Sequence, residues 1–519
     1  MSDARDLRAA ASGELAMRLP ARWLEEYAVL PLAIEDDVVL VAADGALPPL
    51  IADALRRTLG ASVRAIPFAA ADIRAALVSA PRGHSADASR RDALPGEDAE
   101  SMEDLRALAS REPVVQVVNA MLAEAVRAGA SDIHVESVDA GLRIRLRLDG
   151  VLHDAQLLGR NFQAAVISRL KVLAGLDIAE RRLPQDGRTR VRVGARELDI
   201  RVSTLPALHG ESLVLRLLDG GGGSETRRLA ELGMDADVLS LFRRMLARSS
   251  GLVLVTGPTG SGKTTTLYAA LAERSTPGVK VVTVEDPVEY RLDGVVQLPV
   301  NPKAGFGFAN ALRAILRHDP DVILVGEMRD AETAEIAVQA ALTGHLVLST
   351  LHTTDASAAL PRLVEMGVPP YLLAATLQGV LAQRLVRTVC DACATWRAPS
   401  SDELALLGGD GALLGGDGAS ADVIATTRRA SPLWQLRAGA GCEECAGTGY
   451  RGRAAISELL PLDEPMRQAM VAGASLETLR SMARARGVAS LRDDGWRLVH
   501  EGRTTVSEVA RVVSEDETA

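Results

Sequence analysis

The chain has 519 residues, which is too long for one hydrophobic core and predicts several domains. Its apolar fraction of 47% is ordinary for globular proteins, and its net charge of −10 argues against a general nucleic-acid binder. The sequence holds no run of about 18 uncharged apolar residues, and its first residues lack the apolar core of a signal peptide. Composition therefore favours a cytosolic protein without a membrane span.

The N-terminal part is predicted to be a small α/β domain over residues 1–80. A strand-like run at 38–41 precedes a helix-like run at 50–55. Residues 81–103 are rich in charged and small residues and poor in large apolar ones, so we interpret them as a flexible linker.

A second domain is predicted over residues 104–219. Apolar residues at 114–128 follow helical spacing, whereas 141–152 alternate strictly between apolar and polar residues. The alternation predicts a half-buried strand with a basic face, and we interpret Arg143, Arg145 and Arg147 on that face as solvated. Four consecutive glycines within residues 220–224 predict a tether that lets the flanking domains rotate.

The most specific motif in the chain is GPTGSGKT, which begins at residue 257 and fits the phosphate-binding loop GxxxxGK[ST]. It follows the apolar run 252–255 and precedes the helix-prone run 265–271, as such a loop requires. Its Lys263 is predicted to reach the β- and γ-phosphates, and the Thr264 hydroxyl to ligate Mg²⁺. The residues predicted to bind ATP are Gly257, Pro258, Thr259, Gly260, Ser261, Gly262, Lys263, Thr264 and Thr265.

The loop belongs to a predicted ATPase domain over residues 225–386. Its strands are short continuous apolar runs at 281–284, 322–325 and 346–348. Such runs are typical of a parallel sheet that is buried on both faces. Because ligands of open α/β sheets bind at the carboxyl ends of the strands, polar residues that follow these runs are candidate site residues.

Glu327 follows the run 322–325 and is predicted to activate the attacking water. An Asp usually precedes this Glu, but Gly326 takes that place here. We therefore expect Mg²⁺ to be held mainly by Thr264, the phosphates and water. The alternative interpretation is an ordinary solvated acid at a strand end.

Two further groups are candidates for the environment of the magnesium ion and the phosphates. Glu285, Asp286 and Glu289 follow the run 281–284 and are candidates to hold Mg²⁺ through water, with helix-capping acids as the alternative. His345 and His352 flank the run 346–348, and either is a candidate to contact the γ-phosphate, with a structural histidine as the alternative.

The four cysteines form two CxxC pairs, Cys390 with Cys393 and Cys442 with Cys445. Four thiolates at this spacing favour a closed, structural Zn²⁺ site, and a redox dithiol is the alternative. The module is predicted over residues 387–448. It includes an inserted loop with a direct repeat at 405–418, interpreted as a duplicated surface loop rather than a Ca²⁺ site. A helical C-terminal domain is predicted over 449–519.

Together these motifs make the sequence resemble the family of secretion ATPases that drive type II secretion and type IV pili. Besides the phosphate loop, the resemblance rests on an acidic box, an atypical Walker B motif, a histidine box and four shorter motifs. Their positions are 284–290, 325–330, 343–353, 382–387, 131–136, 183–188 and 449–453. The resemblance covers roughly residues 104–515 and implies an α/β fold with a RecA-like P-loop NTPase domain and smaller N-terminal α/β domains.

The resemblance also implies a role for four arginines, Arg201 and Arg216 from the second domain and Arg313 and Arg317 from the ATPase domain. In this family such arginines contact the phosphates when the second domain closes over the ATPase domain. A permanently charged, forked guanidinium suits that task. The alternative is a solvated basic face.

The same resemblance implies a cytoplasmic homohexamer that lies peripherally at the inner membrane. Residues 1–80 would dock the cytoplasmic domain of an inner-membrane type II secretion protein, and an inner-membrane platform protein would be a further partner. The type II secretion branch is favoured over the pilus assembly branch, which shares nearly every motif.

Two hypotheses from other classes remain. The phosphate loop alone permits a hexameric nucleic-acid translocase, but the acidic composition and the lack of interleaved aromatic residues argue against nucleic acid as a partner. A scaffold that binds ATP without turnover is disfavoured because Lys263, Thr264 and Glu327 are all present.

Overall fold

The structure is a computed structural model that describes residues 27–35, 38–45, 61–79, 109–194, 196–219, 227–408 and 435–514, with shorter stretches among the first 60 residues. The predicted linker 81–103, the glycine tether 220–224 and most of the repeat 405–418 lie outside the described residues. The chain separates into two units, Met1–Leu94 and Pro95–Ala519. Among the described residues, no helix combines the length and the apolar content that crossing a membrane requires.

The first unit contains a three-stranded sheet in the order β1-β2-β3. The pair β1/β2 is antiparallel and the pair β2/β3 is parallel, as expected of a small α/β domain. Its described elements are α1 Glu14–Met17, β1 Leu30–Glu35, β2 Val38–Ala43, β3 Ser62–Pro67 and α2 Ala70–Ser79. The core includes Val39, Val41, Leu55 and Ile73, all of which are buried.

The second unit begins with a six-stranded antiparallel sheet in the order β6-β5-β4-β9-β8-β7. Two helices pack with it, and α4 contacts β5. The elements are α3 Glu112–Ala128, β4 Asp132–Val138, β5 Gly141–Leu148, β6 Val151–Leu158, α4 Arg160–Leu173, β7 Gln185–Val193, β8 Arg196–Ala207 and β9 Gly210–Asp219.

Strand β5 has the two faces that its alternation predicts. Leu142, Ile144 and Leu146 are buried in the core, while the arginines between them lie on the opposite face. Each of these arginines meets an acid from a neighbouring strand. The pairs are Arg143 with Asp154 at 2.7 Å, Arg145 with Glu136 at 2.5 Å, and Arg147 with Asp132 at 3.7 Å.

A buried ion pair joins α4 to β9. Lys171 is fully buried, and its Nζ donates to Glu211 Oε1 at 2.7 Å and to the carbonyl oxygen of Glu180 at 2.7 Å. The Glu211 side chain is only 5% exposed. Because both charges are removed from water, each depends on the other for its solvation.

A seven-stranded sheet in the order β12-β11-β13-β14-β10-β15-β18 forms the centre of the second unit. All neighbouring strands are parallel except the β15/β18 pair. The strands are β10 Gly251–Thr256, β11 Val281–Glu285, β12 Val295–Pro299, β13 Val322–Val325, β14 Leu346–Leu351, β15 Leu377–Val389 and β18 Tyr450–Pro461.

Helices cover both faces of this sheet, as the continuous apolar strands predict. Leu252 and Leu254 of β10 face one core, and Val253 and Val255 face the other. Helices α5 Ala236–Leu246 and α6 Lys263–Arg274 lie on the second side. On the first side are α7 Phe308–Ile315, α8 Ala331–Leu342, α9 Ala359–Glu365, α10 Pro370–Thr376, α12 Glu464–Val471 and α13 Leu476–Ala485.

The cysteine module lies between the last two strands of this sheet in the chain. It contains the two-stranded antiparallel sheet β16 Ala394–Arg397 and β17 Leu436–Gly439, and the helix α11 Ser401–Gly408. The helices α14 Leu491–His500 and α15 Val506–Ser514 pack near β15 and β18. The C-terminal region is thus helical as predicted, but it begins with β18, a strand that completes the ATPase sheet.

We predict that replacement of Lys171 by Met destabilises the six-stranded domain by about 3–5 kcal/mol, because it leaves the Glu211 carboxylate buried without its partner. Chemical unfolding followed by circular dichroism measures the loss. The double variant Lys171→Met/Glu211→Leu should recover most of it, since no charge then remains buried. A single variant as stable as the parent would contradict this account.

Candidate active site

The phosphate loop follows β10, whose six residues are all buried between β14 and β15. Gly257 has φ +145°, and a Cβ there would lie 2.3 Å from the carbonyl oxygen of Gln383 on β15. Gly262 has φ +87° and immediately precedes α6. No other residue type fits at Gly257, because both its backbone conformation and the nearby strand exclude a side chain. The loop thus leads directly into a helix N-terminus, where free N–H groups favour phosphate.

Lys263 folds back onto its own loop. Its Nζ donates to the carbonyl oxygens of Gly257 at 2.7 Å and Pro258 at 3.0 Å, which stand in for phosphate oxygens. Burial lowers the pKa of Lys263 to about 8, an effect that the negative charge of Glu327 partly opposes. Thr264 is exposed in the first turn of α6, where its hydroxyl is open to a ligand.

The backbone around Glu327 is held by its neighbouring strands. The Gly326 N–H donates to the carbonyl oxygen of Val284 at 2.8 Å, and the Thr350 hydroxyl donates to the carbonyl oxygen of Gly326 at 2.7 Å. A Cβ at Gly326 would lie 3.2 Å from the same Val284 oxygen. This crowding is a physical reason for glycine in the place where an Asp usually precedes the Glu.

The Glu327 side chain is 15% exposed and lies near a guanidinium group and an imidazole ring. Arg329 Nη2 lies 2.6 Å from its Oε1, and His352 Nε2 lies 3.9 Å from its Oε2. Burial and the nearby charge of Lys263 lower the pKa of His352, while Glu327 opposes this shift. The structure therefore brings Lys263, Glu327 and His352 together. It adds Arg329, whose pairing with Glu327 the sequence analysis missed although both lie in one motif.

Glu285 does not face an open site. It is 4% exposed, and its oxygens accept hydrogen bonds from Tyr268, from Thr283 at 2.6 Å and from Gln297 at 3.2 Å. Burial and the adjacent carboxylate raise the pKa of Tyr268 well above its usual range, so its hydroxyl remains a donor. This arrangement fits a support for α6 better than a ligand sphere for Mg²⁺, whereas Asp286 is exposed at the strand end.

His345 lies at the amino ends of the parallel strands, whereas the phosphate loop lies at their carboxyl ends. It precedes β14, and its carbonyl oxygen accepts a hydrogen bond from Gly251, the first residue of β10, at 3.1 Å. Its Nδ1 lies 2.9 Å from the carbonyl oxygen of Ala340 near the end of α8. The structure therefore does not bring His345 to the γ-phosphate position, because parallel strands carry the site at their carboxyl ends.

The two arginines of the six-stranded domain already have acidic partners. Arg201 Nη2 lies 3.2 Å from Glu289 Oε2 and 3.3 Å from the carbonyl oxygen of Val288. Arg216 Nε lies 3.1 Å from Asp132 Oδ1. Arg201 thus reaches the ATPase domain at the acidic box, and Glu289 acts as its partner there.

The two arginines on and after α7 are also engaged. Arg313 Nη2 lies 2.6 Å from Glu332 Oε1, and Arg317 Nη1 donates to the carbonyl oxygen of Arg313 at 2.7 Å. Both side chains are exposed. The exposed Arg313–Glu332 pair is weakly held, so a phosphate can replace the carboxylate at modest cost.

The four cysteines converge as predicted. All four Sγ atoms lie within 4.8 Å of one another, and the Cys390–Cys442, Cys393–Cys445 and Cys442–Cys445 separations are 3.9, 3.9 and 3.7 Å. Tetrahedral Zn²⁺ with Zn–S bonds of about 2.3 Å requires S···S separations of about 3.8 Å. A disulfide would require about 2 Å. The donor set therefore fits a structural zinc ion.

Hydrogen bonds favour the thiolate at this centre. The N–H groups of Cys442 and Gly449 lie 3.1 and 3.2 Å from Cys445 Sγ. Burial opposes ionisation of Cys445, but these donors and the neighbouring thiols of Cys442 and Cys393 outweigh it and lower the pKa of the Cys445 thiol. Such N–H···S contacts orient and stabilise metal-bound thiolates.

Comparison with known families gives two matches. The family described as "Type II/IV secretion system protein" matches residues 107–511, and the MshEN domain matches residues 3–86. The first match covers the six-stranded domain, the seven-stranded sheet and the cysteine module. It thus includes every predicted site residue.

Relatives of the chain bear two kinds of name. "Type II secretion system protein E" of Pseudomonas aeruginosa is 50% identical over 414 residues, which are 80% of this chain and 78% of that one. "Type IV pilus assembly ATPase PilB" of Thermus thermophilus is 46% identical over 392 residues, which are 76% of this chain but 42% of that one. Among solved structures, the Legionella pneumophila ATPase DotB has a TM-score of 0.54 at 21% identity, over 77% of this chain and 96% of that one. The last comparison bears on the fold alone.

Nucleotide binding is predicted to take up a proton above about pH 8. The pKa of Lys263 is about 8, and a bound phosphate would raise it, so binding returns a proton to the amine. The affinity for ADP should therefore fall by up to about tenfold per pH unit as the pH rises beyond 8. Titration calorimetry in two buffers of different ionisation enthalpy measures the uptake. Lys263→Arg, whose charge is permanent, should show none; equal uptake by both proteins would contradict the assignment.

The chain is predicted to carry about one Zn²⁺ when purified without chelator. Cys442→Ser should lose most of the metal, because three thiolates hold Zn²⁺ less tightly than four. Elemental analysis measures the zinc content, and thiol titration measures the number of reduced cysteines. The control Asp391→Asn changes a neighbour that is not a ligand and should retain the metal. A metal-free parent, or one with oxidised cysteines, would refute the zinc site.

Proposed function

The chain belongs to the type II/IV secretion system protein family, and on that premise we propose that it hydrolyses ATP to drive pseudopilus assembly and protein export by a type II secretion system. The family resemblance and the α/β ATPase fold predicted from the sequence are both confirmed. The chain is accordingly an ATPase of this family. The family match leaves the nucleic-acid translocase hypothesis without support.

One observation supports the catalytic assignment above the others. Lys263 of the phosphate loop and the carboxylate of Glu327 lie at the same edge of one parallel sheet, close enough for Glu327 to influence the pKa of Lys263. A hydrolase needs a cation for the phosphates and a carboxylate that orients water, and this edge offers both. An ATP-binding scaffold would need only the first.

The residues of the site divide the work as follows. Lys263 leaves the two loop carbonyls and binds the β- and γ-phosphates, whose charge compensates it better. Glu327 exchanges Arg329 for a water molecule, which it orients toward the γ-phosphate and from which it accepts a proton. The Thr264 hydroxyl would hold Mg²⁺, which supplies further positive charge to the phosphates. His352 remains a neutral neighbour of Glu327 because its pKa is lowered.

The arginines are proposed to complete the site when the domains move. Arg201 already contacts the acidic box. Arg216 lies next to Arg201, because the two arginines occupy paired positions on β8 and β9. Closure of the six-stranded domain would exchange their acidic partners for phosphate oxygens. Arg313 and Arg317 are proposed to reach phosphates from the ATPase side, within a homohexameric ring.

We further propose that the zinc module is structural and that residues 1–80 dock the cytoplasmic domain of an inner-membrane protein of the secretion system. The ATPase would then act peripherally at the cytoplasmic face of the membrane, with an inner-membrane platform protein as its second partner. Membership of the family and the separate N-terminal unit support this arrangement.

The pilus assembly ATPase is the second candidate, and the similarity to the Thermus PilB protein favours it. The relative named type II secretion protein E is more similar and is covered over 78% of its length rather than 42%. The comparison of covered lengths is the reason that secretion is preferred.

The experiment replaces the native allele in the encoding bacterium by Lys263→Ala or by Glu327→Gln. Secreted enzymes should disappear from the culture supernatant while surface pili remain.

In vitro, Glu327→Gln should bind ATP like the parent but hydrolyse it about 100-fold or more slowly, because only water activation is lost. Lost pili with normal secretion would assign the chain to the pilus branch. Undiminished hydrolysis by Glu327→Gln would remove the catalytic assignment.

A further inference from the structure

Gln383 of β15 is a buried polar residue that contacts the phosphate loop. Its side chain is 2% exposed. Its Nε2 donates to the carbonyl oxygen of Ser261 at 2.9 Å, and its Oε1 accepts a hydrogen bond from the Thr266 hydroxyl at 2.6 Å. The two partners lie on either side of Gly262, Lys263, Thr264 and Thr265, so one amide joins the loop to the first turns of α6.

These contacts require an amide. The carbonyl oxygen of Ser261 can only accept a hydrogen bond, so the NH₂ group must face it and the amide oxygen must face Thr266. A carboxylate at this position would place negative charge against the carbonyl oxygen. An apolar residue would leave both partners buried without a hydrogen bond, which is costly.

The backbone of Gln383 constrains the start of the loop as well. A Cβ on Gly257 would lie only 2.3 Å from the carbonyl oxygen of Gln383. A Cβ on Gly262 would lie 2.8 Å from the Nε2 atom of Gln383. The loop therefore contacts this single residue near its first and last glycines. Strand β15 pairs with β10 through Ala382, so Gln383 follows the last paired position beside Thr256.

We propose that Gln383 is a positioning residue for ATP binding, which fixes the phosphate loop in the shape that accepts the β- and γ-phosphates. The inference rests on the proposed function of this loop. Gln383 acts through Ser261 and Thr266 and touches no substrate itself. A buried amide whose nitrogen and oxygen both form hydrogen bonds restrains the groups that it joins, and preorganisation of this kind favours ligand binding.

A purely structural role makes a different prediction. If Gln383 only satisfies polar groups in the core, its loss lowers stability and leaves the nucleotide affinity of the folded protein unchanged. If it positions the loop, affinity falls in protein that remains folded. The KM for ATP should then rise more than kcat falls, since the residues of the chemical step are retained.

The test compares Gln383→Glu with Gln378→Glu, which makes the same change near the amino end of the same strand. Affinity for ADP is measured by titration calorimetry, with melting temperature and zinc content as measures of folding. Gln383→Glu should bind ADP about 10- to 100-fold more weakly than the parent, as expected when a buried hydrogen-bond partner is lost. Gln378→Glu should stay within about twofold.

A second variant keeps the test decisive if Gln383→Glu does not fold. Thr266→Val removes only the hydroxyl donor and should weaken ADP binding several-fold. In a Gln383→Leu background the same substitution should have a smaller effect, because the two residues act as one unit.

Folded Gln383→Glu and Thr266→Val proteins that bind ADP like the parent would overturn the inference. Lys263→Ala serves as the reference for the function itself. If Lys263→Ala still hydrolysed ATP, the proposed function would fail, whatever the Gln383 variants did. Loss of activity by Lys263→Ala with unaltered Gln383 variants would reject the positioning role alone.

Discussion

The burial of β10 on both faces is the constraint on which the rest of the second unit depends. All six of its residues are buried, with alternate side chains in two separate cores. A strand in this position has neighbours in register on both sides, and here they are β14 and β15. The parallel order aligns the carboxyl ends of the strands, so the phosphate loop, Glu327 and His352 meet at one edge without any dedicated structure to assemble them.

At the carboxyl ends of these strands, each charged side chain that is proposed to act in the reaction has a protein partner. Lys263 contacts loop carbonyls, Glu327 contacts Arg329, and Arg201 contacts Glu289. Removing an ion from water without a partner is costly, so such contacts stabilise these charges within the fold. In the proposed mechanism, nucleotide binding exchanges these partners, and its free energy is the difference between two sets of contacts.

Local patterns in the sequence identify much of this architecture. Three features could be predicted from a few neighbouring residues each. The glycines and lysine of the loop reflect the backbone conformation, the alternation of β5 reflects the pleat of a strand, and the spacing of the cysteines reflects the geometry of metal ligands. The position of His345 was also accessible, since a residue before a parallel strand lies at the edge away from the ligand. The surroundings of Glu285 could not be predicted from the local pattern. Whether a carboxylate at the end of a strand faces a crevice or a core depends on the packing of helix α6 over it.

Long-range pairing was outside the reach of these patterns. Strand β18 lies about 60 residues after β15, within a region that the sequence predicts to be helical. It nevertheless pairs with β15 as the last strand of the ATPase sheet. The strand with which β18 pairs is determined by tertiary packing rather than by local composition. The same holds for Gln383 and for Lys171, whose polar partners lie on other elements and leave no periodic signal in the chain.

Strand β15 has a mechanical consequence. It contacts the phosphate loop through Gln383 and runs to Val389, directly before Cys390, the first cysteine of the cluster, over a distance of about 20 Å. An extended backbone is near its maximum length, and β18 pairs with it from Gln383 to Arg387 and again at Val389, with a register shift between the last two positions. The paired backbone therefore resists stretching and folding. We infer that the phosphate loop and the cysteine module form one stiff lever. Bending during the ATPase cycle must then take place at joints outside this strand.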